Sequence, residues 1–158
     1  LKIVLESIKN NPEINLVCIG KKTRYYKKLE NYISEKKIKN KILFPTIKKM
    51  NDLSDIYKEA KCLVYPSIYE GFGIPIIEAL YSKIPAVIFN KKVFREAGGP
   101  YSHYFNDKNE LKEILKKIWI KQKKIDNRIT LSRKYVEKFS SKNQINQTFK
   151  IYKNLFNS

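Results

Sequence analysis

The sequence predicts an α/β domain in which a parallel β-sheet carries helices on both faces. Short apolar runs alternate with longer segments of helical periodicity. Those longer segments stand between consecutive runs, as crossovers between parallel strands require. No internal repeat or low-complexity linker divides the chain, and its 158 residues fit one domain. A domain of that size buries roughly 70% of the surface its unfolded chain exposes.

Leu1 to Asn10 reads as a helix, with Leu1, Val4, Leu5 and Ile8 on one side and Asn10-Asn11-Pro12 as its stop. The first strand runs from Leu16 to Gly20. An amphipathic crossover from Tyr25 to about Lys37 turns Leu29, Tyr32 and Ile33 inward. Ile42 to Phe44 is the second strand, and Met50 to Ala60, with Leu53, Ile56, Tyr57 and Ala60 on one face, the next crossover. After the strand Cys62 to Tyr65, Pro75 suits the first position of a helix reaching about Ser82, because its missing N–H has no partner there anyway. Ala86 to Phe89 and His103 to Phe105 are the last strands. Asp107 and Glu110 form a capping box for a helix whose stripe is Leu111, Ile114, Leu115, Ile118 and Trp119. Arg128 to Phe156 reads as one or two helices, with Tyr135, Val136, Phe139, Ile145, Phe149 and Tyr152 as contact residues. The chain opens inside a helix and without Met, so the expectation is a fragment whose preceding first strand and partner domain are missing.

A hydrophobic fraction of 42% with 13% aromatic residues is that of a globular protein, and no apolar run approaches the ~20 residues that span a bilayer. Cys18 and Cys62 sit inside apolar runs without metal-ligand spacing. Together with the lack of a signal peptide, they point to a reducing cytoplasm. The net charge of +18 raises nucleic acid as a partner, but the lysines are spread over every segment. Arg24, Arg95, Arg128 and Arg133 form no base-reading cluster, so no specific nucleic acid is expected. Biased codon usage accounts for an excess of Lys, Ile, Asn and Tyr. What remains is attraction to a diphosphate substrate or peripheral contact with an anionic membrane at its inner face.

The segment that carries chemistry runs from Val64 to Leu80: a strand, the loop Glu70-Gly71-Phe72-Gly73-Ile74-Pro75, and a helix start reaching Glu78. The carboxyl end of a strand in an open α/β sheet is where ligands bind. Gly71 and Gly73 lack a Cβ, so the backbone is free to take positive φ and a ligand to approach its amides. Free amides and the dipole at the start of the Pro75 helix favour an anion, with a diphosphate the natural guest. Glu78, about one turn (~5 Å) into that helix, repels phosphate and is better used on neutral hydroxyls, such as a ribose diol. Glu70 lies nearer the other end of the diphosphate, where it binds sugar hydroxyls or stabilises positive charge at an anomeric carbon. Taken one at a time, the same features allow a plain turn, a solvated Glu70, and a Glu78 that complements the helix dipole for ~0.3–1 kcal/mol.

The combination resembles glycosyltransferase family 4, the retaining group 1 glycosyl transferases of GT-B fold, whose C-terminal domain carries E-G-F-G-x-P-x-x-E-A. Glu70 through Ala79 matches every defined position. Leu16 to Gly20, Leu53 to Ala60, Tyr81 to Val87, Ala97-Gly98-Gly99 and Tyr104 to Asp107 are similar to flanking family segments. The resemblance implies a Rossmann-like sheet forming the C-terminal half of a GT-B fold, a nucleoside-diphosphate-sugar donor, retention of configuration, and no required metal or further cofactor. By position it puts Glu70 on the donor sugar, the backbone of Gly71, Phe72, Gly73 and Ile74 on sugar hydroxyl and phosphate, Glu78 on the ribose, and Ile47 near the base. The chain departs from the family where glycine is usual, at Pro45 or Thr46 and at Lys83. The family's Arg and Lys diphosphate clamp, and the N-terminal domain that holds the acceptor, would lie upstream of Leu1. The isolated chain is therefore expected to be inactive.

His103, the single histidine, reads as packing or surface. Asp52 and Asp55 read as helix caps instead of a metal pair. Arg95 and Glu96 lie past the Phe89 strand on the ligand side and serve as donor contact or as surface ion pair. Of Tyr65 and Tyr69, at least one is expected in the core. The competing readings are a related GT-B enzyme with another donor, such as a sucrose-handling or glycogen-synthase-type enzyme, and a basic module that binds polyanions or membrane and keeps the motif only structurally.

Overall fold

All five expected strands form, and among the described residues every pairing is parallel, but they make two separate ladders instead of one sheet. The computed structural model describes residues 1–11, 13–120 and 127–156; the predicted stop at Pro12 lies outside the described residues. In chain order the elements are α1 (Lys2–Ile8), β1 (Leu16–Val17), α2 (Tyr25–Glu35), β2 (Ile42–Leu43), α3 (Met50–Glu59), β3 (Leu63–Tyr65), α4 (Ile74–Tyr81), β4 (Ala86–Phe89), α5 (Arg95–Gly98), β5 (His103–Phe105), α6 (Lys108–Ile120), α7 (Asn127–Val136) and α8 (Ser141–Phe156). β1 pairs β2 with Leu16 opposite Ile42. β4 lies between β3 and β5, Val87 standing opposite Val64 and His103. Only β4 and β5 keep the predicted bounds. β1 is cut back from Gly20 to Val17, its ladder ending where the Cys18 N–H donates to the Leu43 carbonyl at 2.8 Å.

The alternation of side chains along β4 divides the core. Val87 faces α1 and α6, where it packs with Val4, Ile8, Phe105, Leu111 and Leu115. Ala86 and Ile88 face the opposite way, onto Ile76 and Leu80 of α4, Phe94, Ala97 of α5 and Val136 of α7. Helices thus cover both faces. α2 shares the α1 side through Leu5, Leu29, Ile33 and Ile42, and α3 shares the α4 side through Tyr57, Ala79 and Ile84.

Helix ends follow local chemistry, with shifts the residues alone did not indicate. The Asp107 carboxylate accepts the Glu110 N–H at 3.0 Å, as a cap should, but Glu110 reaches back to the Asn106 N–H at 2.7 Å, one residue beyond the expected partner. Asp52 accepts the N–H groups of Lys48 and Lys49 at 2.9 and 3.0 Å, whereas Asp55, inside α3, pairs with Lys58 at 2.8 Å. α4 begins at Ile74, which moves Pro75 to its second position. The segment after Arg128 is two helices joined by the tight turn Glu137–Phe139. Val136 is buried, but Ile145, Phe149 and Tyr152, expected as contacts, are 66%, 69% and 58% exposed.

Lys83 explains one departure from the family pattern. α4 closes with the Ile84 N–H on the Ala79 carbonyl at 3.1 Å and the Lys83 N–H on that of Leu80 at 3.2 Å, and this closure puts Lys83 at φ 62°. A side chain there works against its own backbone by ~1–2 kcal/mol. Lys83→Gly is expected to raise unfolding stability in urea by about 0.5–1 kcal/mol, the strain relief less the entropy glycine loses on folding; a variant no more stable than the parent would refute this.

Candidate functional site

Between β3 and α4 the chain must turn tightly, and Gly73 makes the turn at φ 96°, ψ 51° as the residue before the helix. A Cβ there would stand 2.8 Å from Ile76 Cδ1 and 3.4 Å from Phe94 Cδ1. Glycine is needed at this position both for its backbone angle and for space. Gly71 differs from the expectation: it is not among the positive-φ residues, and a Cβ on it would meet nothing within 4 Å. It leaves open space above the loop instead of permitting a turn. Phe94 is fully buried beneath this turn, and its ring packs edge-on against Tyr65 at 5.4 Å. Phe72 sends its ring down against Phe139 at 5.3 Å, so what it offers the loop surface is backbone.

Glu70 is exposed on the loop, with the Ser67 hydroxyl donating to its Oε1 at 3.4 Å. Burial, and then the Glu70 carboxylate beside it, push the Tyr65 hydroxyl up to about 12, so Tyr65 stays a proton donor near neutrality. Tyr69 is 91% exposed, which leaves Tyr65 as the inward member of that pair. Glu78 is half-buried, and the Tyr57 hydroxyl of α3 donates to its Oε2 at 3.1 Å. Tyr57 itself is buried; burial first, and then the Glu78 carboxylate, raise its hydroxyl well above the usual tyrosine range. This contact joins two crossovers, and the sequence marked Tyr57 only as part of an apolar helix face.

The start of α4 offers fewer amides than expected. Pro75 has none, and the Ile76 N–H is taken by the Gly73 carbonyl at 2.9 Å. Ile74, 63% exposed, heads the helix on the open side. Ile47, half-buried, lies in the loop that follows β2. Arg95 stacks its guanidinium over the Tyr104 ring at 3.9 Å and donates to the Asn90 side chain, which in turn donates to Asn106 at 2.9 Å. The loops after β2, β3, β4 and β5 all open at the carboxyl edge of their ladders. His103 begins β5 at the opposite edge, its Nδ1 3.2 Å from Arg128 Nη1. Burial pushes the Cys18 and Cys62 thiols up to about 11 and 12, which suits them to packing.

At one edge, then, an exposed carboxylate and a tyrosine-held carboxylate flank a glycine turn and the positive end of a helix. Such an arrangement can accept hydrogen bonds from neutral hydroxyls at two points and keep an anion between them.

The family described as Glycosyl transferases group 1 matches residues 1–143. Among curated relatives, the O-antigen chain mannosyltransferase RfbU of Salmonella typhimurium is 36% identical over 96 residues, which are 61% of this chain and 27% of that protein. Among solved structures, sucrose-phosphate synthase from Thermosynechococcus elongatus superposes with a TM-score of 0.82 at 19% identity, covering 98% of this chain and 42% of that one. The pneumococcal O-GlcNAc transferase GtfA, solved with UDP and GlcNAc, superposes at 0.74 with 20% identity, covering 99% of this chain and 32% of its own. The chain thus spans between a quarter and a half of the lengths of these proteins.

Proposed function

Because the chain belongs to the group 1 glycosyl transferases and shares its α/β fold with GT-B members, we propose that it is the C-terminal, donor-binding half of a retaining glycosyltransferase. The reaction moves a hexose from a nucleoside-diphosphate-sugar to a saccharide or lipid-linked acceptor. The observation that carries this reading is the placement of Glu70 and Glu78 on either side of the Gly73 turn at the carboxyl edge of β3. In this reading Glu70 faces the donor sugar, and the backbone of Gly71, Phe72, Gly73 and Ile74 takes sugar hydroxyl and phosphate. Glu78, oriented by Tyr57, holds the ribose, and Ile47 flanks the base. The mannosyltransferase among the relatives makes mannose the first sugar to try. The acceptor and the second wall of the cleft come from a further domain, and the reaction uses no resident metal or cofactor.

Titration of the chain with UDP, GDP and ADP is expected to show saturable binding of at least one of them. Glu78→Ala should weaken that binding about tenfold or more, since hydrogen bonds to a charged group contribute ~1.5–3 kcal/mol. The same preparation should transfer no sugar, because positioning the acceptor supplies much of the rate. Absence of saturable binding, an affinity indifferent to Glu78→Ala, or turnover by the isolated chain would each count against the proposal.

Peripheral contact with the cytoplasmic face of an anionic membrane is a separate part of the reading, supported by α8. That helix exposes Ile145, Phe149, Tyr152 and Phe156, and carries Lys142, Lys150 and Lys153 with no Asp or Glu. Among the described residues no helix is long and apolar enough to cross a membrane. Co-sedimentation with phosphatidylglycerol vesicles, lost at high salt and on Phe149→Asp, is expected; equal recovery with neutral vesicles would oppose it.

A further inference from the structure

The residues around Arg95 left it two roles, a ligand contact or a surface ion pair, and the structure removes the second. Among the described residues Arg95 pairs with no carboxylate, its neighbour Glu96 included, whereas Arg133 pairs with Glu137 at 3.3 Å. The Arg95 side chain is exposed but held. Its guanidinium lies over the Tyr104 ring at 3.9 Å and donates to the Asn90 side-chain oxygen. Asn90 is held in turn: its amide donates to the Asn106 side chain at 2.9 Å, and the Asn106 amide donates to Glu110 at 2.9 Å. The segment that carries Arg95 is pinned as well. The hydroxyls of Tyr135, Ser102 and Tyr104 donate to the carbonyls of Glu96, Gly98 and Gly99 at 2.8, 2.6 and 2.7 Å. Ring, amide and backbone thus fix this cation before any ligand arrives, which lowers the ordering cost of binding.

Arginine holds five N–H donors in a planar fork, and Asn90 occupies only part of it. The fork stands at the carboxyl edge, since Asn90 directly follows β4 and Asn106 directly follows β5. Its place beside α4 decides what it can meet. α3 leads into β3 and α5 leaves β4, so the two stand on different sides of α4 within one layer. Glu78 is on the α3 side, held by Tyr57. Arg95 is on the α5 side, next to Phe94, which packs against Ile76 and Leu80. Across the sheet, Tyr57 and Glu78 therefore come first, the Glu70 loop follows β3, and Arg95 follows β4. With ribose at Glu78 and sugar at Glu70, Arg95 lies beyond the sugar end, on the side where an acceptor arrives.

We propose that Arg95, supported by Asn90 and Tyr104, is the binding site for an oxyanion, a phosphate or carboxylate group carried by the acceptor. Two parallel N–H groups of one guanidinium match two oxygens of either group, and such charge-assisted pairs are roughly twice as strong as neutral ones. A neutral saccharide hydroxyl is therefore the poorer guest. The scattered lysines attract anions without favouring one position, whereas a fixed fork selects one. The assignment to the acceptor rests on the donor reading given above; the oxyanion site itself rests only on the geometry around Arg95.

The test titrates isotope-labelled protein with phenyl phosphate and with benzoate while following the guanidinium N–H resonances, which come only from Arg24, Arg95, Arg128 and Arg133. Arg95 should shift saturably with at least one of the two, and the other three should drift without saturating. Read from the Asn106 and Asp107 backbone amides, Arg95→Ala should weaken binding about tenfold or more. Arg95→Lys should weaken it about fivefold, because an ammonium keeps the charge and loses the fork. Asn90→Ala keeps the charge in place and should still weaken it about threefold, a loss that marks a positioned arginine and not a charged surface. Equal drift of all four arginines, or an affinity indifferent to Arg95→Lys and Asn90→Ala, overturns the site. A second titration adds phenyl phosphate to protein saturated with UDP, GDP or ADP. Undiminished binding supports the acceptor assignment; displacement by the nucleotide hands Arg95 to the donor diphosphate and overturns it. If no nucleotide binds, the acceptor assignment falls with the donor reading, while the first titration still decides the oxyanion site. Should the 158-residue chain not fold alone, the same titrations on the full-length protein decide.

Discussion

Glu70→Ala in the intact transferase is expected to lower kcat about 100- to 1,000-fold, the loss typical when one group stabilising transition-state charge is removed. Nucleoside-diphosphate affinity should stay within about threefold, because the two carboxylates are held by different parts of the fold. Ser67 of its loop and Tyr65 at the end of β3 lie beside Glu70, whereas Tyr57 of α3 holds Glu78. In the proposed donor geometry Glu70 stands at the sugar end and acts when positive charge develops at the anomeric carbon, so the effect belongs to kcat and not to KM. Glu70→Gln separates the two roles left open for this residue: recovery of most activity assigns it to hydrogen bonding, and a loss as large as in Ala assigns it to charge. A kcat within about threefold of the parent for both variants, or a change confined to KM, would remove Glu70 from the chemistry.

The largest effect on stability is expected from Phe94→Ala, at about 3–5 kcal/mol. Phe94 has no solvent exposure, packs with Ile76, Leu80, Ile88 and Val136, and meets the Tyr65 ring edge-on. Removing the ring leaves a cavity that a β-strand on one side and a helix on the other cannot close. For a domain of this size the melting temperature should fall by on the order of 10 °C. Phe94 also lies against the space beside Gly73, so nucleotide affinity should weaken along with stability. Phe94→Leu keeps most of the volume and should retain most of both. A loss below about 1 kcal/mol for the alanine variant, measured by urea unfolding, would show that the ring does not brace the turn.

The residues that carry local signals were readable without the fold. β4 keeps its predicted bounds because an apolar run flanked by turn residues specifies a buried strand by itself; β5, a partly buried strand, keeps its own as well. Asp107 opens α6 as expected, since an N-cap depends on neighbours two and three residues away. Glu70 and Glu78 stood out because their spacing around two glycines and a proline is a local pattern. The contacts that give these carboxylates direction were not readable in the same way. Nothing near Tyr57 in the chain says that its hydroxyl will meet Glu78, because that contact exists only after α3 and α4 pack together through Tyr57, Ala79 and Ile84. Nor did the periodicity of α8 tell whether its apolar side meets this domain or faces outward.

Gly71 and Gly73 show the same division within one loop. Glycine at both positions implied freedom for both, but only Gly73 uses it, because only there do Ile76 and Phe94 close in on the backbone. Alternation of apolar periods, caps and the Glu70-to-Glu78 motif, all set by interactions within a few residues, determined the α/β class, the strand positions and the candidate site. Tertiary packing decided which backbone edges stay open, which carboxylate is held by a tyrosine, and where helices end in strained residues such as Lys83. Those outcomes depend on groups far apart in the chain that meet only after the layers assemble.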